Sequence, residues 1–248
     1  MDIAKAVREI RDNAKNFGTG QTARWFALKV INHVIPTRYI VGMTLEKVSP
    51  ESIKLDPRFH AGLMKAEQLS RFVGSQGWDD PGFGLSHEGL ARAEQNGIEW
   101  YAITDGAPDQ PDAKLASIGW YSCEATVNGG NPVYFSPEWV YMFRGYTHPD
   151  YRGFRLHGIG MGRAMLEFQK RGLKGIISDV DGRNLSSLKS VFRLGYKKIG
   201  VMYMFEVLGK HLVWTDAGCK QYNFRYAAPV DLPNCTAIGR TAQARPTS

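Results

Sequence analysis

The chain has 248 residues, 43% of them hydrophobic, a net charge of +7, a pI near 9.3 and three widely spaced cysteines. That length can bury the core of one extended domain, no apolar run reaches the ~18 residues of a membrane-spanning helix, and the residues after Met1 give no reason to expect a secretory signal. Cys123, Cys219 and Cys235 fit neither a metal motif nor a disulfide framework, which indicates a reducing, cytoplasmic setting.

Residues 1–36 are predicted to form a helical extension. Apolar residues at helical intervals predict an amphipathic helix over 2–16, and a second, mostly apolar helix is predicted from Gln21 to Val34. Packing against the rest of the domain is the favoured role for both helices. The alternative is contact with a membrane surface, because Lys, Arg, Trp and Phe side chains occur together in them.

Residues 37–235 are predicted to form the main domain, and 236–248 a disordered tail because that segment lacks apolar periodicity. The elements predicted in its first half are a strand over 39–45, a helix over 59–73, a helix from Ser86 to Gly97, and two antiparallel strands over 99–104 and 114–121. Gly129 and Gly130 then interrupt the chain before the next strand.

The segment Pro149–Ala164 is rich in Gly and Arg, and it lies between a predicted strand, Trp139–Tyr146, and a predicted helix, Ile159–Arg171. Free main-chain N–H groups and the positive end of a helix make such a segment suitable for binding phosphate. Arg152 and Arg155 add positive charge. The spacing fits neither a P-loop, which needs Gly-Lys-Ser/Thr, nor a dinucleotide fingerprint, but it does fit Arg-x-x-Gly-x-Gly.

The elements after this helix carry the resemblance further. An apolar strand over 174–180 is followed by a helix from Asn184 that ends at a Gly195 cap, a strand over 197–203 and a last strand over 211–214. With Arg155, Gly158 and Gly160 as the Arg-x-x-Gly-x-Gly motif, residues 98–208 resemble the GNAT superfamily of acyl-CoA-dependent N-acyltransferases.

The resemblance implies an α/β fold with a mixed, mostly antiparallel central sheet that is splayed in the middle and flanked by helices. Strands Val140–Thr147 and Gly175–Val180 would part, and the pantetheine arm of coenzyme A would lie between them. The residues implied to bind CoA are Thr147, Arg152, Arg155, Leu156, His157, Gly158, Ile159, Gly160, Asn184 and Ser187. No metal is implied.

The activity implied is direct transfer of an acyl group, most simply acetyl, from CoA to a primary amine on a small molecule or a protein. Two alternatives remain open: a donor with a long acyl chain, carried by CoA or by an acyl carrier protein, and a non-catalytic module that binds CoA or another anion. Nucleic acid is disfavoured as a partner because no zinc knuckle, helix-turn-helix or RNP-like motif is present. A homodimer is also left open.

The catalytic residues are harder to assign, because Val191 stands where the family usually has a tyrosine that protonates the leaving thiolate. Tyr146 and His148 are the predicted substitutes, with His157 and Tyr203 as further candidates, since an imidazole titrates near neutral pH. The glycines also follow Arg152 three residues later than in the family pattern. The candidates for a general base are Glu124 and Glu138.

Overall fold

In a computed structural model of the chain, residues 10–15, 18–20, 22–23, 25–27, 37–75, 78, 85–207 and 210–228 are described. Residues 10–15 are helical, as predicted, and so are the described residues within 19–27, where helix is present two residues before the predicted start at Gln21. The rest of both predicted helices lies outside the described residues. The predicted tail, 236–248, lies outside the described residues. Within the described ranges, no helix combines the length and the apolarity that crossing a membrane requires.

A mixed sheet of eight strands forms the centre of the fold, in the order β10-β9-β1-β8-β7-β4-β3-β2. All neighbouring strands are antiparallel except β7 and β8, which are parallel. A small second sheet has the order β11-β6-β5. The strands are β1 (Thr37–Leu45), β2 (Phe59–Met64), β3 (Ile98–Asp105), β4 (Lys114–Ser122), β5 (Thr126–Asn128), β6 (Asn131–Tyr134), β7 (Trp139–Thr147), β8 (Gly175–Asp181), β9 (Lys197–Val207), β10 (Lys210–Thr215) and β11 (Arg225–Tyr226).

Five helices outside the N-terminal segment are described: α1 (Ala66–Ser70), α2 (His87–Gln95), α3 (Leu156–Lys170), α4 (Leu185–Leu194) and α5 (Ala217–Gln221), with short 3-10 turns at Pro50–Ile53 and Pro149–Tyr151. Their ends follow the predicted capping chemistry. The Ser86 hydroxyl accepts a hydrogen bond from the Gly89 N–H at the start of α2, and Gly195 ends α4 in the left-handed region, at φ 113°.

The two faces of the sheet are covered differently. Helices α3 and α4 pack on one face, over a core that includes Val140, Met161, Phe168 and Ile176. The other face has two separate covers. Helices α1 and α2 cover one half of it with a tryptophan-rich cluster (Trp78, Trp100, Trp120), and the small sheet and α5 cover the other half (Ile177, Phe224, Tyr226). Phe143 of β7 packs against both covers, so β7 runs along the boundary between them.

The predicted fold class, a mixed and mostly antiparallel splayed sheet flanked by helices, is confirmed. The helix predicted over 59–73 is wrong in its first half, because Phe59–Met64 pairs with β3 as the edge strand β2. Only one side of an edge strand is paired, and the burial of β2 alternates weakly, so its sequence gives a poor strand signal. Gly129 and Gly130 form the turn of an additional hairpin, β5–β6.

Candidate functional site

The parallel strands β7 and β8 part in the middle of the central sheet. Their ladder begins at Trp139↔Gly175 and ends at Met142↔Ser178, although β7 continues to Thr147 and β8 to Asp181. On its other side, β7 pairs with β4, and the register shifts there so that Phe143 is the extra residue of a β-bulge. A bulge bends a strand and increases its local twist, which explains why β7 turns away from β8 at this point.

The parting leaves a cleft of about 290 Å³. Apolar side chains and hydroxyl groups line it, among them Met142, His157, Met161, Ser187 and Val191. The Ser178 hydroxyl lies at its closed end and donates a hydrogen bond of 2.7 Å to the carbonyl oxygen of Met142. The cleft is therefore a slot with main-chain edges, lined by both apolar and hydrogen-bonding groups.

The first turn of α3 lies beside this cleft. Arg155, at the N-cap position, has a left-handed backbone (φ 60°), and among the described residues no side chain caps the first turn. The main-chain N–H groups of Leu156, His157 and Gly158 are first-turn donors, which helix geometry leaves without carbonyl partners in the helix. A Cβ atom built on Gly158 would meet nothing within 4 Å, so the space there is open.

The structure separates the predicted CoA-binding residues of the segment 152–160 into two groups. Arg152, Arg155, Gly158 and the main chain of the first turn are exposed or open. By contrast, the Leu156 and Ile159 side chains are buried with Phe59 and Ile103, and Gly160 lies under Ile103. The glycines predicted as a loop are thus inside α3, because the helix begins at Leu156 rather than at Ile159. Of these three buried residues, only Leu156 has a main-chain N–H in the first turn, because the Ile159 N–H already donates to the Arg155 carbonyl oxygen within the helix.

The remaining predicted binding residues have structural contacts of their own. The Thr147 hydroxyl lies 3.1 Å from that of Ser117 in the neighbouring strand. Asn184 is the N-cap of α4, and its Oδ1 accepts hydrogen bonds from the Ser187 N–H at 3.1 Å and the Ser186 hydroxyl at 2.9 Å. Asn184 therefore fixes the start of α4, and with it the position of Ser187 in the cleft lining.

His157 is the imidazole that the structure places in the cleft. Its ring is half-buried against Gly145, where a Cβ atom would lie only 2.1 Å from its Cε1 atom. Burial lowers the pKa of His157, so the neutral ring is favoured. A neutral imidazole can both donate and accept a hydrogen bond in the cleft.

The predicted catalytic residues Tyr146 and His148 are brought together with Trp78. The Tyr146 ring packs edge-on against Trp78 at 5.0 Å, and the His148 ring lies 6.1 Å from the same indole. The His148 Nδ1 atom accepts a hydrogen bond from the Asp150 N–H at 3.3 Å. Both residues lie beside the tryptophan-rich cover and are not among the described residues that line the cleft. Their predicted role remains a prediction.

The other acid and base candidates lie away from the parting. Tyr203 is on β9, which β1 separates from β8, and it stacks on Tyr39 at 5.1 Å. Glu124 and Glu138 are exposed, and the Glu138 carboxylate pairs with Lys174 at 2.9 Å, beside the paired end of β7 and β8. Both glutamates are close to β7 in sequence, but neither carboxylate is among the described groups that line the cleft where β7 and β8 part.

One acidic residue that the sequence analysis did not select lies at this point. Asp179 follows Ser178 directly, lines the cleft, and accepts hydrogen bonds from the hydroxyl groups of Tyr141 and Tyr226. Burial raises the pKa of Asp179. The available signal was a charged residue, Asp179, in the mostly apolar strand segment Ile176–Val180, since a charged residue in a buried strand needs a specific reason.

No protein-family model and no curated protein matches the chain. The solved structures to which it is similar include three acetyltransferases. With a GCN5-related N-acetyltransferase-like protein from Streptococcus suis it shares 16% identity and a TM-score of 0.44, covering 77% of this chain and 68% of that one. With a GNAT-family acetyltransferase from Novosphingobium aromaticivorans the values are 15% and 0.42, covering 68% and 63%. With an aminoglycoside N-acetyltransferase in complex with CoA they are 18% and 0.41, covering 58% and 92%.

These values are low, and the fold assignment rests on the sheet itself. The features that the resemblance predicted are present in it: a mixed, mostly antiparallel sheet flanked by helices, and a parting of β7 from β8 in the middle of that sheet. The structure adds that this pair is the parallel one and that it parts next to the start of α3. The chain therefore has a GNAT-like fold.

Proposed function

We propose that this protein is an acyl-CoA-dependent N-acyltransferase that transfers an acyl group, most simply acetyl, to a primary amine. The observation that carries the proposal is the parting of β7 and β8 after the Met142↔Ser178 pair, which opens a cleft beside the uncapped first turn of α3. A flexible arm ending in a thioester fits the cleft, and its diphosphate fits the helix start.

The diphosphate would bind at the first turn of α3. The N–H groups of Leu156, His157 and Gly158 and the positive end of the helix dipole favour an anion there. Gly158 leaves room for phosphate oxygens close to the main chain, and the exposed Arg152 and Arg155 supply two cations. The protein's net charge of +7 favours the approach of a polyanionic substrate.

The pantetheine arm would lie in the cleft as a false strand between β7 and β8. Beyond Met142 and Ser178 these strands do not serve as each other's ladder partners, so their facing edges suit the amides of the arm. The hydroxyl of Ser187 and the neutral ring of His157 add hydrogen-bonding groups. A main-chain N–H of β7 beyond the bulge is suited to polarise the thioester carbonyl.

Transfer from this position needs an amine that attacks the carbonyl carbon and a thiolate that leaves. Val191 is buried beside the cleft, so the chain has no tyrosine at the position that protonates the thiolate in the resembling family. A thiolate is a better leaving group than an alkoxide because thiols are the stronger acids. The proposal therefore does not require a side-chain acid at Val191.

The first test is calorimetry with CoA, acetyl-CoA and a long-chain acyl-CoA on the wild-type protein and on Gly158→Asp and Gly158→Ala. Both side chains have room in the folded protein, and Asp in a first turn interacts favourably with the helix dipole. We expect Gly158→Asp to keep the fold but to weaken CoA binding by about 100-fold, or ~2.7 kcal/mol, through charge repulsion. Gly158→Ala is the control and should bind CoA within several-fold of wild type.

The outcomes separate the functional alternatives. The preferred acyl length identifies the donor class, and CoA binding without thioester turnover in the presence of amines would indicate a non-catalytic CoA-binding module. Equal CoA affinity in Gly158→Asp and wild type would place the diphosphate elsewhere and contradict the proposed site.

A further inference from the structure

A hydrogen-bonded carboxylate lies where the two parallel strands part. Asp179 is the first residue of β8 beyond the last ladder pair, Met142↔Ser178. Its Oδ2 accepts a hydrogen bond from the Tyr226 hydroxyl at 3.1 Å, and its Oδ1 accepts one from the Tyr141 hydroxyl. Because a carboxylate offers about four acceptor positions, these two bonds leave capacity for a further donor.

Asn128 fixes the direction of both hydrogen bonds. Its Nδ2 group donates to the Tyr141 and Tyr226 hydroxyl oxygens at 3.0 Å each. The two phenol oxygens also lie 3.2 Å from each other. With both hydroxyl protons donated to Asp179, the carboxylate is the final acceptor of the network. This network (Asp179, Tyr141, Tyr226 and Asn128) draws its members from β8, β7, β11 and β5.

The network lies on the face of the sheet opposite α3. Tyr141 and Ile177 belong to the cluster under the small sheet, whereas their neighbours Val140 and Ile176 belong to the core under α3. Side chains alternate between faces along a strand, so Asp179 shares the face of Ile177. A donor bound at the start of α3 would therefore enter the cleft from the α3 face of the sheet. Asp179 would act on it from the opposite face.

We infer that Asp179 is the general base of the proposed transfer, the group that accepts the proton of the attacking amine. The inference rests on the proposed function and adds to it the catalytic group and the face from which the amine approaches. A primary amine whose N–H points at Asp179 stands at the opening between the strands, on the side away from α3. Neither of the glutamates predicted as bases, Glu124 and Glu138, is among the described residues that line the cleft.

The step balances as follows. The amine nitrogen forms a bond to the thioester carbonyl carbon, the C–S bond breaks, and one amine proton moves to the Asp179 carboxylate. The CoA thiolate leaves and takes a proton from water, and Asp179 then releases its proton to solvent. The products are the N-acyl amine and CoA.

The surroundings of Asp179 tune its affinity for a proton. Burial raises its pKa, as does the neighbouring Asp181, while the hydrogen bonds from Tyr141 and Tyr226 and the charge of Arg38 favour the carboxylate. The Cys219 thiol of α5 also faces it. A base of raised pKa accepts a proton more readily than an ordinary aspartate does, and activity should increase with pH through that pKa.

The test compares Asp179→Asn, Tyr226→Phe and a control, Asp56→Asn. Asp56 is exposed, and its Oδ1 accepts a hydrogen bond from the Arg58 N–H that an asparagine oxygen can also accept, so the control makes the same chemical change outside the site. Acetyl-CoA turnover is measured against pH with a polyamine, an amino sugar and a lysine peptide as acceptors. CoA affinity is measured by calorimetry and folding by thermal unfolding.

We expect Asp179→Asn to lower kcat/KM by about 10²- to 10⁴-fold, the usual contribution of a general base, and to remove the rising limb of the pH profile. Its CoA affinity should stay within about twofold, because the proposed diphosphate contacts lie at the start of α3 and the proposed contacts of the pantetheine amides are with main-chain groups. Tyr226→Phe removes a hydrogen bond that favours the ionised form of Asp179. The pKa of Asp179 should therefore rise, and the rising limb of the pH profile of this variant should move to higher pH. Asp56→Asn should follow the wild-type profile.

Two results would overturn the assignment and are distinguishable. If the wild-type protein turns over acetyl-CoA with an amine, and Asp179→Asn keeps its limb and its rate within about threefold, Asp179 is not the base although the proposed function stands. If the wild type binds no CoA, or acylates no amine of the panel, the transferase proposal fails and the assignment of Asp179 fails with it. Should Asp179→Asn not fold, an unshifted limb in Tyr226→Phe also counts against the assignment.

Discussion

The two sides of the parted strands are built in different ways. On the α3 side, one continuous segment, residues 152–158, supplies the candidate anion site through main-chain N–H groups, an open glycine and two arginines. On the opposite side, the Asp179 network is assembled from four strands that are up to 98 residues apart in sequence. A binding site made of main-chain groups can be encoded by a short sequence motif. A partly buried carboxylate with directed hydrogen bonds can form only when the folded chain brings its partners together.

The largest expected effect comes from closing the cleft that joins the two sides, which should separate CoA binding from binding at the start of α3. Gly145→Val would place a side chain against His157, whose Cε1 atom lies 2.1 Å from a Cβ built at that position. The added side chain would push the His157 ring into the space proposed for the pantetheine arm, so we expect CoA affinity to fall by about 10- to 100-fold. The overpacking itself should lower the free energy of unfolding by about 1–3 kcal/mol. Binding of ADP, which needs only the α3 side, should persist. Calorimetry with both ligands measures the difference.

Gly62→Val on the edge strand β2 is the matched control, since a Cβ there meets nothing within 4 Å and valine favours strands. Its affinity for both ligands should equal that of the wild type. Parallel losses of CoA and ADP binding in Gly145→Val would show that the cleft and the helix start are not separate subsites.

A second prediction concerns Arg155, where one substitution should change CoA affinity and protein stability in opposite directions. Arg155 holds a left-handed backbone at φ 60°, which costs a non-glycine residue about 1 kcal/mol. Arg155→Gly should therefore raise the free energy of unfolding by about 0.5 kcal/mol, after the entropy of the added glycine is counted, and lower CoA affinity about tenfold through the lost cation. Urea unfolding and calorimetry measure the two effects.

Asn223 provides the control, because it is another described non-glycine residue with a left-handed backbone, at φ 50°. Asn223→Gly should leave CoA affinity unchanged. If Arg155→Gly bound CoA as tightly as Asn223→Gly does, the arginine would have no part in anion binding.

The smallest expected effect is an opposite pH response on the two sides. The pKa of His157 is lowered by burial, so its contribution to stability is present above its unfolded pKa of about 6.5 and is lost as pH falls through the folded value. The pKa of Asp179 is raised, so its contribution is present below its unfolded pKa of about 3.9 and is lost as pH rises through the folded value.

His157→Gln should remove the loss of stability that accompanies falling pH below about 6.5. Asp179→Asn should remove the loss of stability that accompanies rising pH above about 3.9. Urea unfolding at a series of pH values measures both. Profiles that keep their wild-type slopes in the two variants would show that neither group carries the linkage.

Several elements could be predicted because their signals are local. The Ser86 and Asn184 caps, the Gly195 end of α4 and the strand before the Arg- and Gly-rich segment all lie where nearby residues indicated them. The edge strand β2 could not be predicted in this way, because only its pairing with β3 makes Phe59–Met64 a strand. The position of β1 between β8 and β9 likewise depends on contacts far along the chain.

For the candidate site, the sequence by itself determined the part proposed to bind the acyl donor. That part consists of Arg155, Gly158, the helix that follows them, and the strands on either side. These features depend on main-chain geometry over a few residues, which a motif records. Only the tertiary structure decided that the glycines lie inside α3, that Tyr146 and His148 face Trp78, and that Asp179 stands at the parting. The reason is physical: the position and proton affinity of a buried side chain depend on neighbours that folding alone brings together.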